Sequence, residues 1–159
     1  TTQVVTSLTN STSPQNVFAA ANDVLTLRAA TTYFFECLYF LDQGTNTHTT
    51  ATGFVASSAF TSINYFAELW STTAGSISTT APSVLNVAVS TAVVLNATSG
   101  AARTTIRCRG IIRTNAATTV TPQITNSADP GGTREVAVNS YFRAWPVGSN
   151  TVAAFGDWA

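Results

Sequence analysis

The stretch TTYFFECLYFL, Thr31–Leu41, decides the fold class because it is apolar on both sides when it is read as a strand. Read at a period of two, one face carries Tyr33, Phe35, Cys37, Tyr39 and Leu41, and the other carries Phe34, Glu36, Leu38 and Phe40. A strand with one face in water should alternate apolar and polar residues. We therefore expect the second face to be covered, either by another layer of the same sandwich or by another subunit.

The composition indicates one folded domain with a surface poor in charge. The chain has 159 residues, of which 45% are hydrophobic and only 9% are charged, whereas about 25% charged residues is usual. Thr makes up about a fifth of the chain, and all basic residues are Arg. Because Lys and Glu are depleted from interface cores, this composition suits a protein whose surface is covered by neighbours in an assembly.

Charge and hydropathy argue against several classes of partner. The formal net charge is zero and there is no basic run, so we expect no binding to nucleic acid. The longest apolar run is interrupted by Glu36 and is too short for a membrane-spanning helix, so we expect no membrane partner. We expect no cofactor either, because Cys37, Cys108 and His48 are too few for a metal site. The two cysteines are predicted to be buried free thiols.

Further along the chain, short strand patterns alternate with turn signals. Arg103–Thr114 is the second strong strand, with Ile106, Cys108 and Ile112 on one face and the Arg side chains on the other. Thr118–Asn126 is predicted to be an edge or bulged strand, because Pro122 cannot donate to a ladder. Phe60–Trp70 fits a helix or a strand, and its aromatic content favours the strand.

These patterns predict an all-β fold. About eight to ten strands without a long helix are typical of an antiparallel β-sandwich of the jelly-roll type. Residues 1–16 are rich in Ser, Thr and Asn and predict an N-terminal arm or linker, and residues 17–159 predict a single sandwich domain.

Glu36 is the most unusual residue of the chain, because a carboxylate on an apolar face is costly unless it is paired. Arg is the preferred partner, since its planar fork bonds a carboxylate bidentately. The candidate subunit-interface or ion-pair residues are Phe34, Glu36, Leu38, Phe40, Arg107, Arg109, Arg113 and Arg143. The alternative role of Glu36, as a general acid or base, needs a second carboxylate such as Glu68 or Asp42.

No local motif supports an enzyme. There is no nucleophile elbow, phosphate loop or metal-ligand spacing, and His48 lies in a Thr-rich segment that predicts a residue at the edge of a loop. We therefore expect a protein without catalytic residues.

Four segments, taken in order, resemble a loose group of tailed-bacteriophage virion proteins. They are TTYFFE at 31–36, GTNTHT at 44–49, RCRGIIRTN at 107–115 followed by Pro122-Gln123, and NSYFRAWPVG at 139–148. The resemblance covers about Leu25 to the C-terminus. It implies a trimeric jelly-roll module on the particle surface, which decorates or stabilises the capsid.

The resemblance also implies the partners. They are other copies of this chain in a homotrimer, and the major capsid protein or another virion protein. Two alternatives stay open. One is a tail- or head-fibre tip that binds a host-surface receptor or glycan. The other is a secreted trimeric ligand of the tumour-necrosis-factor or C1q type.

Overall fold

Two-residue periodicity along almost every segment builds two antiparallel sheets that pack against each other. The computed structural model describes residues 5–20, 22–73, 83–88, 90–91, 93–98 and 102–151. In chain order the strands are β1 Thr6–Leu8, β2 Gln15–Asn16, β3 Leu25–Leu27, β4 Thr31–Gln43, β5 His48–Ala56, β6 Ser62–Thr73, β7 Ser83–Val87, β8 Val93–Thr98, β9 Ala102–Thr114, β10 Thr118–Asn126, β11 Arg134–Val136 and β12 Tyr141–Ser149. The described part of the chain contains no helix, so the all-β class is confirmed.

The larger sheet, sheet A, has the order β1–β11–β4–β9–β6–β7, and β12 also pairs with β4. β11 and β12 therefore lie end to end along one edge of β4. Between them the ladder is carried by Ala137, whose N–H donates to the Phe40 carbonyl at 2.8 Å, and by the Ser140 hydroxyl, which accepts from the Phe40 N–H at 2.9 Å. β11 and β12 together therefore occupy the position of one long strand beside β4.

The smaller sheet, sheet B, has the order β2–β10–β5–β8, and β3 also pairs with β10. The predicted N-terminal arm contributes to both sheets over its described part, since β1 pairs with β11 and β2 pairs with β10. The division of the chain at residue 16 stays a prediction.

The core lies between the two sheets and contains the predicted inner face of β4. Tyr33, Phe35, Cys37, Tyr39 and Leu41 are all 6% exposed or less. Phe54 of sheet B joins the sheets through edge-on contacts to Phe35 and Tyr65 of sheet A, with centroid distances of 5.1 and 5.2 Å. Such pairs add stability beyond the area they bury.

Most of Phe60–Trp70 is a strand in the structure, beginning at Ser62, as the aromatic content predicted. It belongs to β6, and Ile63, Tyr65, Ala67 and Leu69 are buried together on the inner face. The helical spacing of Phe60, Ile63 and Trp70 is therefore coincidental.

The edge position predicted for Thr118–Asn126 is wrong, because β10 is paired on both sides. β5 lies along one side, and β2 and β3 share the other. The Pro122 carbonyl accepts from the Val17 N–H at 3.0 Å on that second side. Pro122 itself falls in the gap between the residues paired with β3, which end at Val120, and those paired with β2, which begin at Gln123. The missing N–H therefore faces a gap between strands and costs no ladder bond.

Candidate interaction surface

The outer side of sheet A, facing away from sheet B, carries a continuous band of aromatic, aliphatic and Arg side chains. Strand alternation and the registers of β12, β4, β9 and β6 define this outer face. Its residues are Tyr141, Arg143 and Trp145; Phe34, Glu36, Leu38 and Phe40; Thr105, Arg107, Arg109 and Ile111; and Asn64, Phe66, Glu68 and Trp70. The four β4 members are only half-buried, so within one chain this face is incompletely covered.

Glu36 is the centre of a hydrogen-bonded cluster on the outer face. The Tyr141 hydroxyl donates to Glu36 Oε1 at 2.8 Å, and Arg143 donates to the same oxygen from Nε at 2.9 Å. Arg109 Nε lies 3.8 Å from Oε2 on the opposite side. The Tyr141 hydrogen bond, followed by Arg143 and Arg109, lowers the pKa of Glu36 against the opposing effect of partial burial. The carboxylate is therefore ionised and held by neighbours on two strands.

A second ion pair lies one row further along the sheet. Arg107 donates from Nε to Glu68 Oε2 at 2.6 Å, and its terminal nitrogen is 2.5 Å from the same oxygen. The Glu68 side chain is 9% exposed, whereas the Arg107 side chain is 45% exposed. On this face the carboxylates thus lie close to the sheet, and the guanidinium groups cover them.

Aromatic rings fill the spaces between the ion pairs. The rings of Phe34 and Trp145 are 4.9 Å apart at an angle of 44°. The Arg143 guanidinium lies 5.1 Å from the Tyr141 ring and 5.5 Å from the Trp145 ring, within the range of a cation–π contact. Trp145 remains 40% exposed and Trp70 remains 44% exposed. The face therefore offers large apolar rings to a partner.

All eight candidate residues lie on the outer side of sheet A, and seven of them lie close together. Phe34, Glu36, Leu38, Phe40, Arg107, Arg109 and Arg143 occupy three adjacent strands. Arg113 lies at the end of β9, opposite Thr32 and Ser62, and among the described residues no carboxylate is within ion-pair distance of it. The interface role of these residues stays a prediction.

Sequence reasoning missed the aromatic residues that complete the face. Tyr141, Trp145, Phe66 and Trp70 lie beside the candidates. A period-two reading of Tyr141–Trp145 groups Tyr141, Arg143 and Trp145 on one side, and that signal was sufficient to find two of them. Which strand β12 would pair with was not evident locally.

A buried polar cluster between the sheets was also missed. Arg134 is 1% exposed, and its NH2 donates to Gln43 Oε1 at 3.1 Å and to Asn126 Oδ1 at 3.2 Å. His48 begins β5 directly after a loop, as predicted, but it is only 3% exposed, which the sequence did not indicate. The reason is that its Nε2 lies 3.1 Å from the same Gln43 oxygen, inside the sandwich.

The electrostatics of this cluster favour a structural role for His48. Burial lowers the pKa of His48, the nearby charge of Arg134 lowers it further, and the Asn46 carbonyl opposes both effects. A neutral ring is therefore favoured at neutral pH. Both ring nitrogens face oxygen atoms, those of Asn46 and Gln43, and a neutral ring donates to one of the two. The ring is therefore turned toward these groups and not toward solvent.

Cys37 and Cys108 face each other across β4 and β9 on the inner side of sheet A. Both are buried and free, as predicted. A hydrogen bond with Cys37, together with burial, raises the pKa of the Cys108 thiol well above its usual range. Because the thiolate is the reactive form, this arrangement makes the thiol inert.

The described residues contain no group of three or more His, Cys, Asp and Glu side chains arranged to hold a metal ion. Within the same ranges, no helix is long and apolar enough to span a membrane.

Comparisons with known proteins return no relative for the chain. No family model, no curated protein and no solved structure matches it.

Proposed function

We propose that the protein is a non-enzymatic assembly module that associates with copies of itself through the outer face of sheet A. The observation that carries this proposal is the half-buried apolar row Phe34, Leu38 and Phe40, extended by the exposed rings of Trp145 and Trp70. Interfaces are enriched in aromatic residues and Arg and depleted of Lys and Glu, and contiguous apolar patches on a monomer mark contact sites. The outer face has this composition except for Glu36 and Glu68, which are both paired with Arg.

The ion pairs on the outer face also support a role in protein–protein contact and not in catalysis. Glu36 and Glu68 are both engaged by Arg side chains at short distance. The lowered pKa of Glu36 keeps its carboxylate ionised, and an ionised carboxylate is a poor general acid. In an interface such pairs fix orientation, because a misplaced copy would bring like charges together.

We propose that the sandwich is of the jelly-roll type. In sheet A, β11 and β12 share one position beside β4, and in sheet B, β2 and β3 share one position beside β10. With β6 and β7 left aside, sheet A then has the order β1–β11/β12–β4–β9, and sheet B has the order β2/β3–β10–β5–β8. Two four-stranded antiparallel sheets of this order support a jelly roll, to which β6 and β7 add a hairpin beside β9.

We propose a homotrimer as the assembled form. Close packing around a threefold axis buries the outer faces of the strands that line it, which accounts for a strand such as β4 that is apolar on both sides. Small oligomers with closed cyclic symmetry are common.

We propose the surface of a tailed-bacteriophage particle as the location of the trimer, with the major capsid protein or another virion protein as a further partner. The resemblance on which this rests involves four segments, of which three lie side by side in sheet A. Thr31–Glu36 begins β4, the Arg-rich segment lies in β9, and Asn139–Gly148 supplies β12. Arg143, Glu36 and Arg109 occupy one row across these three strands. Segments that are far apart in sequence thus build one surface, which supports a shared role.

Solution mass tests self-association. We expect light scattering or sedimentation of the dilute protein to give three times the chain mass of 16.6 kDa. Leu38→Asp replaces an apolar side chain in the centre of the face by a charged one and is expected to weaken assembly by roughly tenfold or more. Val24→Asp is the matched control, since Val24 is 50% exposed and lies outside the face. A monomeric wild type, or equal loss of assembly in both variants, would contradict the proposal.

Copy number in purified phage particles tests the location. Hundreds of copies spread over the head indicate decoration, and a few copies at the tail or on fibres indicate an adhesin. Absence from particles contradicts both, and would leave the secreted-ligand alternative.

A further inference from the structure

A groove of about 680 Å³ lies along β5, away from the outer face of sheet A. β8 pairs with β5 only from His48 to Thr52, so the side of β5 beyond Thr52 has no strand beside it. The chain between β5 and β6 and the residues around Ser90 form the walls. The volume falls within the range of about 300–1,000 Å³ that holds small ligands.

The groove combines an apolar lining with hydroxyl and amide groups. Val55 and Phe60 supply apolar surface, and Thr61, Ser90, Gln123 and Thr125 supply the polar groups. Among the described residues, none of those that line it carries a charge. An uncharged groove of this kind favours a neutral ligand with many hydroxyl groups over an anion or a cation.

Two polar atoms at the groove have bonding capacity left over. Thr125 Oγ1 is buried and has no hydrogen-bond partner among the described residues, and buried polar atoms in native proteins generally have one. Gln123 donates from Nε2 to Asn16 Oδ1 at 2.8 Å. Its Oε1 accepts no hydrogen bond from the described residues, so it is available to a ligand hydroxyl.

An added peptide strand fits this groove less well. The edge of β5 is already occupied where a strand would begin to pair, because the Phe54 N–H donates to the Ser90 carbonyl at 2.8 Å. A peptide would have to break that bond before it could add main-chain hydrogen bonds of its own.

We propose that this groove binds a short neutral oligosaccharide, with Gln123 and Thr125 as hydrogen-bonding residues and Phe60 and Val55 as apolar contacts. The site shares no residue with the outer face of sheet A. The inference therefore does not depend on trimer formation, and it supplies a site and a ligand class for the recognition alternative.

The test is titration of the full chain with neutral trisaccharides and tetrasaccharides of glucose, galactose, mannose and N-acetylglucosamine, and with sialylated and uronate-containing counterparts. We expect at least one neutral sugar to bind, with amide NMR shifts confined to the groove. Thr125→Val and Gln123→Ala are each expected to weaken binding by about tenfold. Thr119→Val is the matched control and should bind as the wild type does, because Thr119 lies on the same strand and face outside the groove.

Several outcomes would overturn the inference. They are binding by none of the neutral sugars, binding by the acidic sugars alone, shifts outside the groove, or equal loss in the Thr119→Val control. Displacement of the Phe54–Ser90 hydrogen bond by an extended apolar peptide, in place of sugar binding, would also overturn it. Solution mass measured on the same samples keeps this result separate from assembly, since Leu38→Asp should lose the trimer and retain sugar binding.

Discussion

Glu36 illustrates how much a single residue reveals before any fold is known. Its place on an apolar face predicted an Arg partner, because a half-buried carboxylate without one is costly. The structure supplies Arg143 and Arg109 from two different strands, and adds Tyr141, which no charge argument had indicated. The type of partner follows from local chemistry. The identity of the partner follows from the pairing of strands.

Glu36 should make stability depend on pH in a defined window. Its pKa is lowered in the folded chain from an ordinary value of 4.5, so the stabilisation is complete above that value and is lost as the pH falls through the folded pKa. We expect Glu36→Gln to lower the free energy of unfolding by roughly 1 kcal/mol at neutral pH, a modest figure because the Arg partners are solvent-exposed. The difference from wild type should shrink below about pH 4.5.

Denaturant unfolding at several pH values between neutral and acid measures this effect. Asp42→Asn is the control, because the Asp42–Arg103 pair is the more exposed one, with Arg103 73% exposed. Its effect should stay within about 0.5 kcal/mol. A Glu36→Gln difference that is constant across the pH range would show that the carboxylate charge is not what stabilises the fold.

At the scale of the element, β10 and β9 show how a local rule depends on its neighbours. Pro122 indicated an edge strand, yet β10 is internal, because its second side is shared by two short strands that leave a gap at the proline. Gly110, in contrast, is constrained by a neighbouring strand although no local rule indicates it. Nothing in the sequence marks it as special, but it lies where β9 comes close to the backbone of β6.

Gly110→Ala should therefore destabilise the fold. A Cβ at this position would overlap the Asn64 carbonyl oxygen and would come within 2.6 Å of Tyr65 Cα. Since these are backbone atoms of the paired strand, β6 and β9 must separate, and overpacking of this kind costs about 1–3 kcal/mol. Gly148→Ala is the matched control on β12, because a Cβ there meets no atom within 4 Å.

Thermal or denaturant unfolding of the two glycine variants checks this prediction. We expect Gly148→Ala to remain within about 0.5 kcal/mol of the wild type. Equal stability of Gly110→Ala and wild type would mean that the two strands can separate without cost.

At the scale of the whole molecule, the proposed assembly links stability to concentration. A protein that folds and associates gains stability by mass action. The unfolding midpoint of the wild type should therefore rise by a few degrees over about a hundredfold increase in concentration. Leu38→Asp should give a midpoint that does not change with concentration. Scanning calorimetry over this concentration range measures the unfolding midpoint of both proteins. A constant wild-type midpoint would contradict self-association.

The sequence by itself determined the all-β class, the buried face of β4, the strand character of β6 and the burial of Cys37 and Cys108. It determined these features because the two-residue alternation of inward-facing and outward-facing side chains can be recognised within each strand segment alone. Only the tertiary structure decided that Tyr141 and Trp145 join Phe34 and Glu36, that β10 is internal, and that Arg134 and His48 are buried together. These features depend on register between segments up to about a hundred residues apart. Such register is set by how the whole core packs and not by any one stretch of chain.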